Sequence, residues 1–147
     1  DYLSEIISSF KEISKKNFVF NFDQYSNKKK ITKSIEIVYG LRNFIGNANK
    51  FSKSLIYINL KSDNEMTEIT IEDDGNGYSR DVLSKIGEPY LKANNPQDKS
   101  KTGLGLGLFI GKTLLEKNFA YINCKNSKSK SGAKVTVRWK NKDLFNV

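Results

Sequence analysis

From Gly103 to Leu108 glycine and leucine alternate without a break, and the run passes directly through Phe109-Ile110 into Lys112-Thr113-Leu114-Leu115-Glu116-Lys117. Leu108, Leu114 and Leu115 recur at helical spacing, which predicts a helix over 106–118 with the glycines at its start. Glycine admits a close backbone approach to a ligand. A helix start carries unpaired N–H groups and a partial positive charge, a combination suited to phosphate. Taken alone, the run is equally compatible with a hinge before a core helix. It is not a Walker A loop, because no Gly-Lys-Ser/Thr closes it, and it is not a dinucleotide fingerprint, because the preceding residues 94–102 are polar loop and not strand. Its meaning depends on what the rest of the chain places beside it.

Upstream, Leu3, Ile6, Ile7, Phe10 and Ile13 form a helical stripe over Tyr2 to Lys16, and Phe18 to Phe22 reads as a strand. A second helix is predicted from Thr32 to Phe51, with Ile35, Val38, Leu41, Ile45 and Ala48 on one stripe. Ser54 to Leu60 and Thr67 to Glu72 read as an antiparallel hairpin, and Arg80 to Ile86 as a short helix. Leu91 to Thr102 is a polar stretch without an apolar period, long enough to be a lid. Ala120 to Cys124 and Ala133 to Trp139 close the pattern as two further strands. Helices mixed with antiparallel hairpins predict an α+β, two-layer α/β sandwich with a mixed sheet of about five strands on three helices. No repeat or linker interrupts residues 1–147, so they read as one domain, and a first residue of Asp1 suggests a piece cut from a longer protein.

Composition removes several chemistries. The chain has no histidine, which excludes imidazole acid–base catalysis within it and most zinc sites. Its one cysteine, Cys124, cannot form an internal disulfide and falls in a predicted strand, where a core role outweighs a redox one. The net charge of +9 comes from basic residues spread along the chain, which predicts a solvated lysine surface and not a nucleic-acid interface. No apolar run has membrane-spanning length.

Two further clusters stand out. Asn43 and Asn47 share a face of the second helix, with Lys50 one turn on. Asparagine competes for backbone groups inside helices, so two on one face are either solvated or held for a purpose: an amide oxygen for a hard cation, and an ammonium for phosphate. Asp73-x-Gly75-x-Gly77 ends a strand. It is either an ordinary Asp-Gly turn or a carboxylate placed to accept from a ligand amine, with glycines that let a flat ring lie on the backbone.

In order, Asn47, Lys50, Asp73-x-Gly-x-Gly, a polar lid, Gly-x-Gly-x-Gly and Gly132-Ala133 resemble the Bergerat-type (GHKL) ATPase/kinase family over roughly Ser34 to Lys140. Within it, Asn43-Phe-Ile-Gly-Asn47-Ala-Asn-Lys50-Phe51-Ser52 is similar to the N-box of sensor histidine kinases. Gly87-Glu88-Pro89-Tyr90-Leu91-Lys92 is similar to their Phe box with tyrosine substituted, and Gly103 to Leu108 to their second glycine box. Asp81 to Tyr90, with Gly107 to Glu116, is most similar to the RegB/PrrB type of bacterial two-component kinase. The resemblance implies an ATP site in which Asn47 ligates Mg²⁺ beside Asn43, Lys50 pairs with phosphate, and Phe51 packs near sugar or base. It also implies that Asp73 accepts from the adenine amine, with Gly75 and Gly77 close to the ring, that Ile86 covers the base, and that Tyr90 of the Phe box belongs to the ATP site. Lys92 would reach the phosphates from the lid. Gly103, Gly105 and Gly107 would hinge and cradle, with Leu104, Leu106 and Leu108 placing backbone N–H groups.

One departure separates the branches. Gyrase-like hydrolases carry a water-activating glutamate four residues before the metal asparagine. Here that position is Asn43, which is no base at neutral pH. The resemblance therefore implies transfer of the γ-phosphate to a histidine on the protein's own dimerisation domain, and from there to a response regulator. It implies a cytoplasmic domain, monomeric by itself, of a membrane-anchored homodimer. An anti-sigma-factor serine kinase of the same fold and a non-catalytic basic binding module are the alternatives.

Overall fold

The computed structural model describes residues 2–23, 30–31, 34–85 and 99–145, the side chains of 13, 85 and 99–106 aside. In chain order the elements are α1 (Leu3–Ser9), a 3-10 turn (Phe10–Ile13), β1 (Asn17–Phe22), α2 (Ile35–Phe51), β2 (Leu55–Ser62) and β3 (Met66–Asp73). They continue with α3 (Arg80–Lys85), α4 (Lys99–Lys117), β4 (Tyr121–Asn126), β5 (Ala133–Lys140) and α5 (Asn141–Leu144). The strands form one sheet in the order β1-β2-β3-β5-β4, with β1 parallel to β2 and the other neighbours antiparallel. This is the expected α+β sandwich with a mixed five-stranded sheet.

The period of two decides which face is covered. Phe20, Ile58, Ile71, Val135 and Cys124 lie side by side across all five strands, and Phe22, Leu60, Ile69, Val137 and Ile122 form the next row. These rows belong to a core shared with Leu3 and Ile7 of α1, Leu41 and Phe44 of α2, and Leu108 and Leu115 of α4. The opposite face carries polar rows, Asn21-Asn59-Thr70-Thr136-Asn123 and Tyr57-Glu72-Lys134-Lys125. Among the described residues no helix is long and apolar enough to cross a membrane.

The α2–α4 contact is close because small residues face it. A Cβ on Gly40 would lie 2.6 Å from Leu115 Cγ, and one on Gly111 3.1 Å from Phe44 Cε2. The helices run antiparallel: Ser34 Oγ donates to Asn118 Oδ1 at 3.1 Å at one end, and Gly107 abuts Asn47 toward the other.

Several sequence expectations are corrected. The first helix stops at Ser9 and tightens into the 3-10 turn before β1. Helix α2 starts at Ile35 behind its cap Ser34, whose Oγ accepts from Ile37 N at 3.3 Å, so Ile35 at the first helical position is exposed. The buried stripe is instead Ile37, Leu41, Phe44, Ile45 and Ala48. Helix α4 begins at Lys99, within the stretch expected to be loop; the remainder of that stretch lies outside the described residues. At its other end Phe119 takes the left-handed cap position (φ 71°), with Ala120 N donating to Leu115 O at 3.0 Å. Glycine usually fills that position, and an L-residue there is disfavoured by about 1–2 kcal/mol.

Candidate functional site

β3 runs out at Asp73, which is only 4% exposed. The next turn folds back over it. Asp73 Oδ1 accepts from Gly75 N at 2.9 Å and from Ala133 N, the first residue of β5, at 3.3 Å. No described group donates to Oδ2. The fit is tight on both sides. A Cβ on Gly75 would sit 2.2 Å from Phe51 O, and one on Gly132 2.0 Å from Asp73 Oδ1. Gly77 has φ +75°, and its turn is held by Asn126, whose Oδ1 accepts from Tyr78 N at 2.6 Å and whose Nδ2 donates to Tyr78 O at 3.0 Å.

Asp73, Gly77 and Tyr78 line a cavity of about 90 Å³ together with Phe44, Asn47, Ala48 and Phe51 of α2, Asn76, and Ile71, Ala133 and Val135 of the sheet. Its walls are mostly apolar, and the polar residues that line it are few: Asn47, Asp73, Asn76 and Tyr78. Small-molecule sites are commonly built this way. The Nδ2 of Asn47 is buried without a hydrogen-bond partner, and Gly107 of α4 leaves just enough room for that amide; a Cβ there would lie 3.0 Å from Asn47 Oδ1. A buried amide left unpaired is unfavourable by about 1–3 kcal/mol, so it marks a position where a ligand can supply the missing partner.

The structure thus brings Asn47, Phe51, Asp73 and Gly77 to one cavity, with Gly75 and Gly107 packed around it. It does not bring Asn43 there, since its Nδ2 donates to Tyr39 O of its own helix at 2.8 Å. Lys50 is exposed beyond the cavity. Its ammonium lies 5.4 Å from the Phe51 ring centroid and has no acidic partner among the described residues. Ile86, Tyr90 and Lys92 lie outside the described residues.

The glycine run needs correction. Gly103 to Leu108 lie inside α4 and not at its start, and Leu108 is a core residue at 3% exposure. In a helix from Lys99 the unpaired N–H groups belong to the first four residues, so in this arrangement those of Gly103 to Leu108 point to carbonyls one turn back. Each glycine weakens a helix by about 1 kcal/mol.

Sequence reasoning missed Phe44, Ala48, Ile71, Asn76, Tyr78, Ala133 and Val135 as lining residues, and Asn126 as the clamp on the turn. Apolar periodicity marks a core face but does not say where that face opens.

Burial pushes the Asp73 carboxyl above its ordinary 3.8, against the lowering effect of its two backbone hydrogen bonds, and neighbouring Asp74 adds to the rise. Between 3.8 and the raised value the folded chain holds a proton that the unfolded chain has released, so stability drains away as pH climbs through that window. An amide in place of this carboxylate would keep the oxygen that accepts from Gly75 and Ala133 without the buried charge. Asp73→Asn is therefore expected to raise the Tm of the free protein by a few degrees (about 1 kcal/mol) near neutral pH, and by much less near about pH 3. Thermal melts across pH check this; a gain of the same size at both ends would contradict it.

Comparison with known proteins places these features in a wider group. A family model described as "Histidine kinase-, DNA gyrase B-, and HSP90-like ATPase" matches residues 32–143. The sensor histidine kinase RegB of Cereibacter sphaeroides is 36% identical over 97 residues, which cover 63% of this chain and 21% of that protein. The chain thus spans about a fifth of the length of that curated relative. The catalytic domain of the histidine kinase ThkA, in a nucleotide-free form, superposes with a TM-score of 0.74 at 19% identity over 95% of this chain and 93% of that one. Full-length ShkA in complex with AMPPNP gives 0.68 at 18% over 99% of this chain and 30% of that one.

Proposed function

The chain belongs to the histidine kinase-, DNA gyrase B- and HSP90-like ATPase family, and on that premise we propose that it is the ATP-binding catalytic domain of a bacterial two-component sensor kinase, donating the γ-phosphate of Mg-ATP to a histidine on a separate dimerisation domain. The observation that carries the nucleotide assignment is the pairing, in one cavity, of a buried carboxylate that keeps one oxygen free of protein donors with a buried amide that has no partner. Asp73 Oδ2 would accept from the adenine amine, and the ring would lie against Gly77 between Phe51 and the sheet.

Asn47 fits a magnesium ion. Among the described residues no cluster of His, Cys, Asp and Glu could hold a metal, so a hard cation would have to take amide and phosphate oxygens, and Asn47 Oδ1, which accepts from no described group, is such an oxygen. Magnesium there would neutralise phosphate charge. Lys50, which has no acidic partner among the described residues, would add a second positive charge to the same group. With Asn43 turned to its own helix and no glutamate in its place, the position four residues before Asn47 offers no base to activate water, which favours transfer over hydrolysis. The chain's contribution is positioning and charge neutralisation, the usual protein share in phosphoryl transfer.

The acceptor histidine lies outside a chain that contains none. A response regulator would take the phosphate next, and the intact protein would be a membrane-anchored homodimer with this domain on the cytoplasmic side.

Radiolabelled ATP tests the proposal. The chain alone is expected to bind Mg-ATP, release phosphate slowly and remain unlabelled. Adding the separately made dimerisation domain of the same protein should give label on its histidine, lost in acid because a phosphoramidate cleaves when protonated. Rapid phosphate release by the chain alone, or acid-stable label on serine, would overturn it.

A further inference from the structure

The last turn of α2 carries Asn47, Lys50 and Phe51, and the structure holds that turn from two sides. On the sheet side, Asp74 Oδ1 accepts from Lys53 N at 2.8 Å and Ser54 N at 3.1 Å, and its Oδ2 accepts from Ser54 Oγ at 3.1 Å. This contact is local to the site, since Asp74 follows Asp73 directly. The other side comes from far away in sequence. Lys16, between the 3-10 turn and β1, donates from Nζ to Ser52 O at 2.6 Å and to Lys53 O at 3.2 Å. Ser14 Oγ donates to Asn49 Oδ1 and accepts from Lys16 N at 3.0 Å.

An ammonium on the carbonyls just past a helix end is favourable in itself, so a plain cap has to be weighed against a functional part. Two observations favour the latter. A groove of about 150 Å³ lies between the N-terminal segment and α2 at this point, lined by Phe10, Ser14 and Phe18 on one side and Arg42, Ile45, Gly46 and Asn49 on the other. Phe10 and Ile45 belong to the core, and beyond them the polar clasp joins the segment to the end of α2. The clasped residues also alternate with those of the site, because Asn49 lies between Asn47 and Lys50, and Ser52 follows Phe51. The base end of the cavity is built mostly elsewhere, from Asp73 and Ala133 on the sheet and Gly77 in the turn after β3, with Phe51 as the wall that the clasped turn contributes.

We propose that Ser14 and Lys16 are positioning residues: through Asn49, Ser52 and Lys53 they fix the C-terminal turn of α2, and so the metal- and phosphate-facing end of the site, while the carboxylate that faces the base is held separately by the sheet. The inference rests on the nucleotide reading of the cavity. It also makes the segment before β1 a route by which movement of the N-terminal helix reaches the phosphates more than the base.

The test uses the 147-residue chain with Lys16→Met, Lys16→Arg and Ser14→Ala. Affinities for Mg-ATP and for adenosine are measured, together with amide exchange over Lys50 to Ser54 in the free protein. Lys16→Met is expected to weaken Mg-ATP about tenfold, the effect of losing a hydrogen bond to a charged group, with adenosine weakened by a clearly smaller factor, through Phe51 alone. Lys16→Arg should restore Mg-ATP, because a guanidinium can reach the same carbonyls. Ser14→Ala should shift Mg-ATP in the same direction by less. Equal losses for both ligands, no loss for either, or failure of Lys16→Arg to restore binding would reduce the clasp to a structural cap and overturn the proposal. A wild-type chain that bound no nucleotide would instead defeat the proposed function. Exchange would then decide the clasp alone: faster exchange over Lys50 to Ser54 in Lys16→Met and Ser14→Ala supports it, and unchanged exchange overturns it.

Discussion

Asn47→Ala is expected to abolish phosphoryl transfer to the dimerisation domain, a loss of at least about a hundredfold, while leaving the fold intact. The Asn47 amide makes no hydrogen bond from Nδ2 to the protein, so removing it takes away no internal partner and relieves one buried unsatisfied group. Thermal stability should therefore stay level or rise. What disappears is the hard oxygen ligand, and the described residues offer no carboxylate cluster to replace it. ATP affinity in the presence of Mg²⁺ should fall to the value measured without it. Asn47→Asp is a milder change, because a carboxylate can still hold the ion. Titrations with and without Mg²⁺ test the assignment; an Asn47→Ala variant that kept its Mg²⁺ dependence would move the metal elsewhere.

Gly132→Ala is the second large effect, and it runs through stability. A Cβ at this position would lie 2.0 Å from Asp73 Oδ1, 2.2 Å from Asp73 O and 2.6 Å from Asp73 C. Two of those atoms are backbone at the end of a central strand, so no side-chain rotation clears the overlap. Either β5 lifts away from β3, losing the bond from Ala133 N to Asp73, or the Asp73 turn is displaced. The expected outcome is destabilisation by about 3 kcal/mol, at the upper end for overpacking, together with loss of adenine affinity. Gly46→Ala is the matched control. It lies within α2 with nothing within 4 Å of an added Cβ, so it should stabilise by up to about 1 kcal/mol through helix propensity. Denaturant unfolding of the two variants checks the contrast; Gly132→Ala with wild-type stability would show that the close approach to Asp73 is not what selects glycine there.

The two glycines divide what each level of information decides. Sequence alone identified strands by their period of two, the hairpin of β2 and β3, the amphipathic second helix, and an order of motifs that resembles one family. These are local or pairwise properties, and the covalent chain carries them directly. Asp73 could be singled out because it ends a β-branched run in front of two glycines, and Asn47 because an amide is out of place on a helix.

Other features needed the folded chain. The phase of α2 at Ile35 depended on where Ser34 caps the helix, a contest of neighbouring conformations that the apolar pattern does not resolve. The glycine run was expected to precede a helix, yet it lies within α4. The packing of Gly40 and Gly111 between α2 and α4 joins positions remote in sequence, so no local preference could announce it. Asn43 and Asn47 are equivalent in spacing and type, yet one bonds to its own helix and the other is left unpaired beside Gly107, because only the neighbouring helix distinguishes them. The apolar lining of the cavity and the Ser14–Lys16 clasp are likewise products of assembly. Residue identity sets what each side chain can offer chemically, and close packing of segments distant in the chain decides which of those offers stay unpaired and face the cavity.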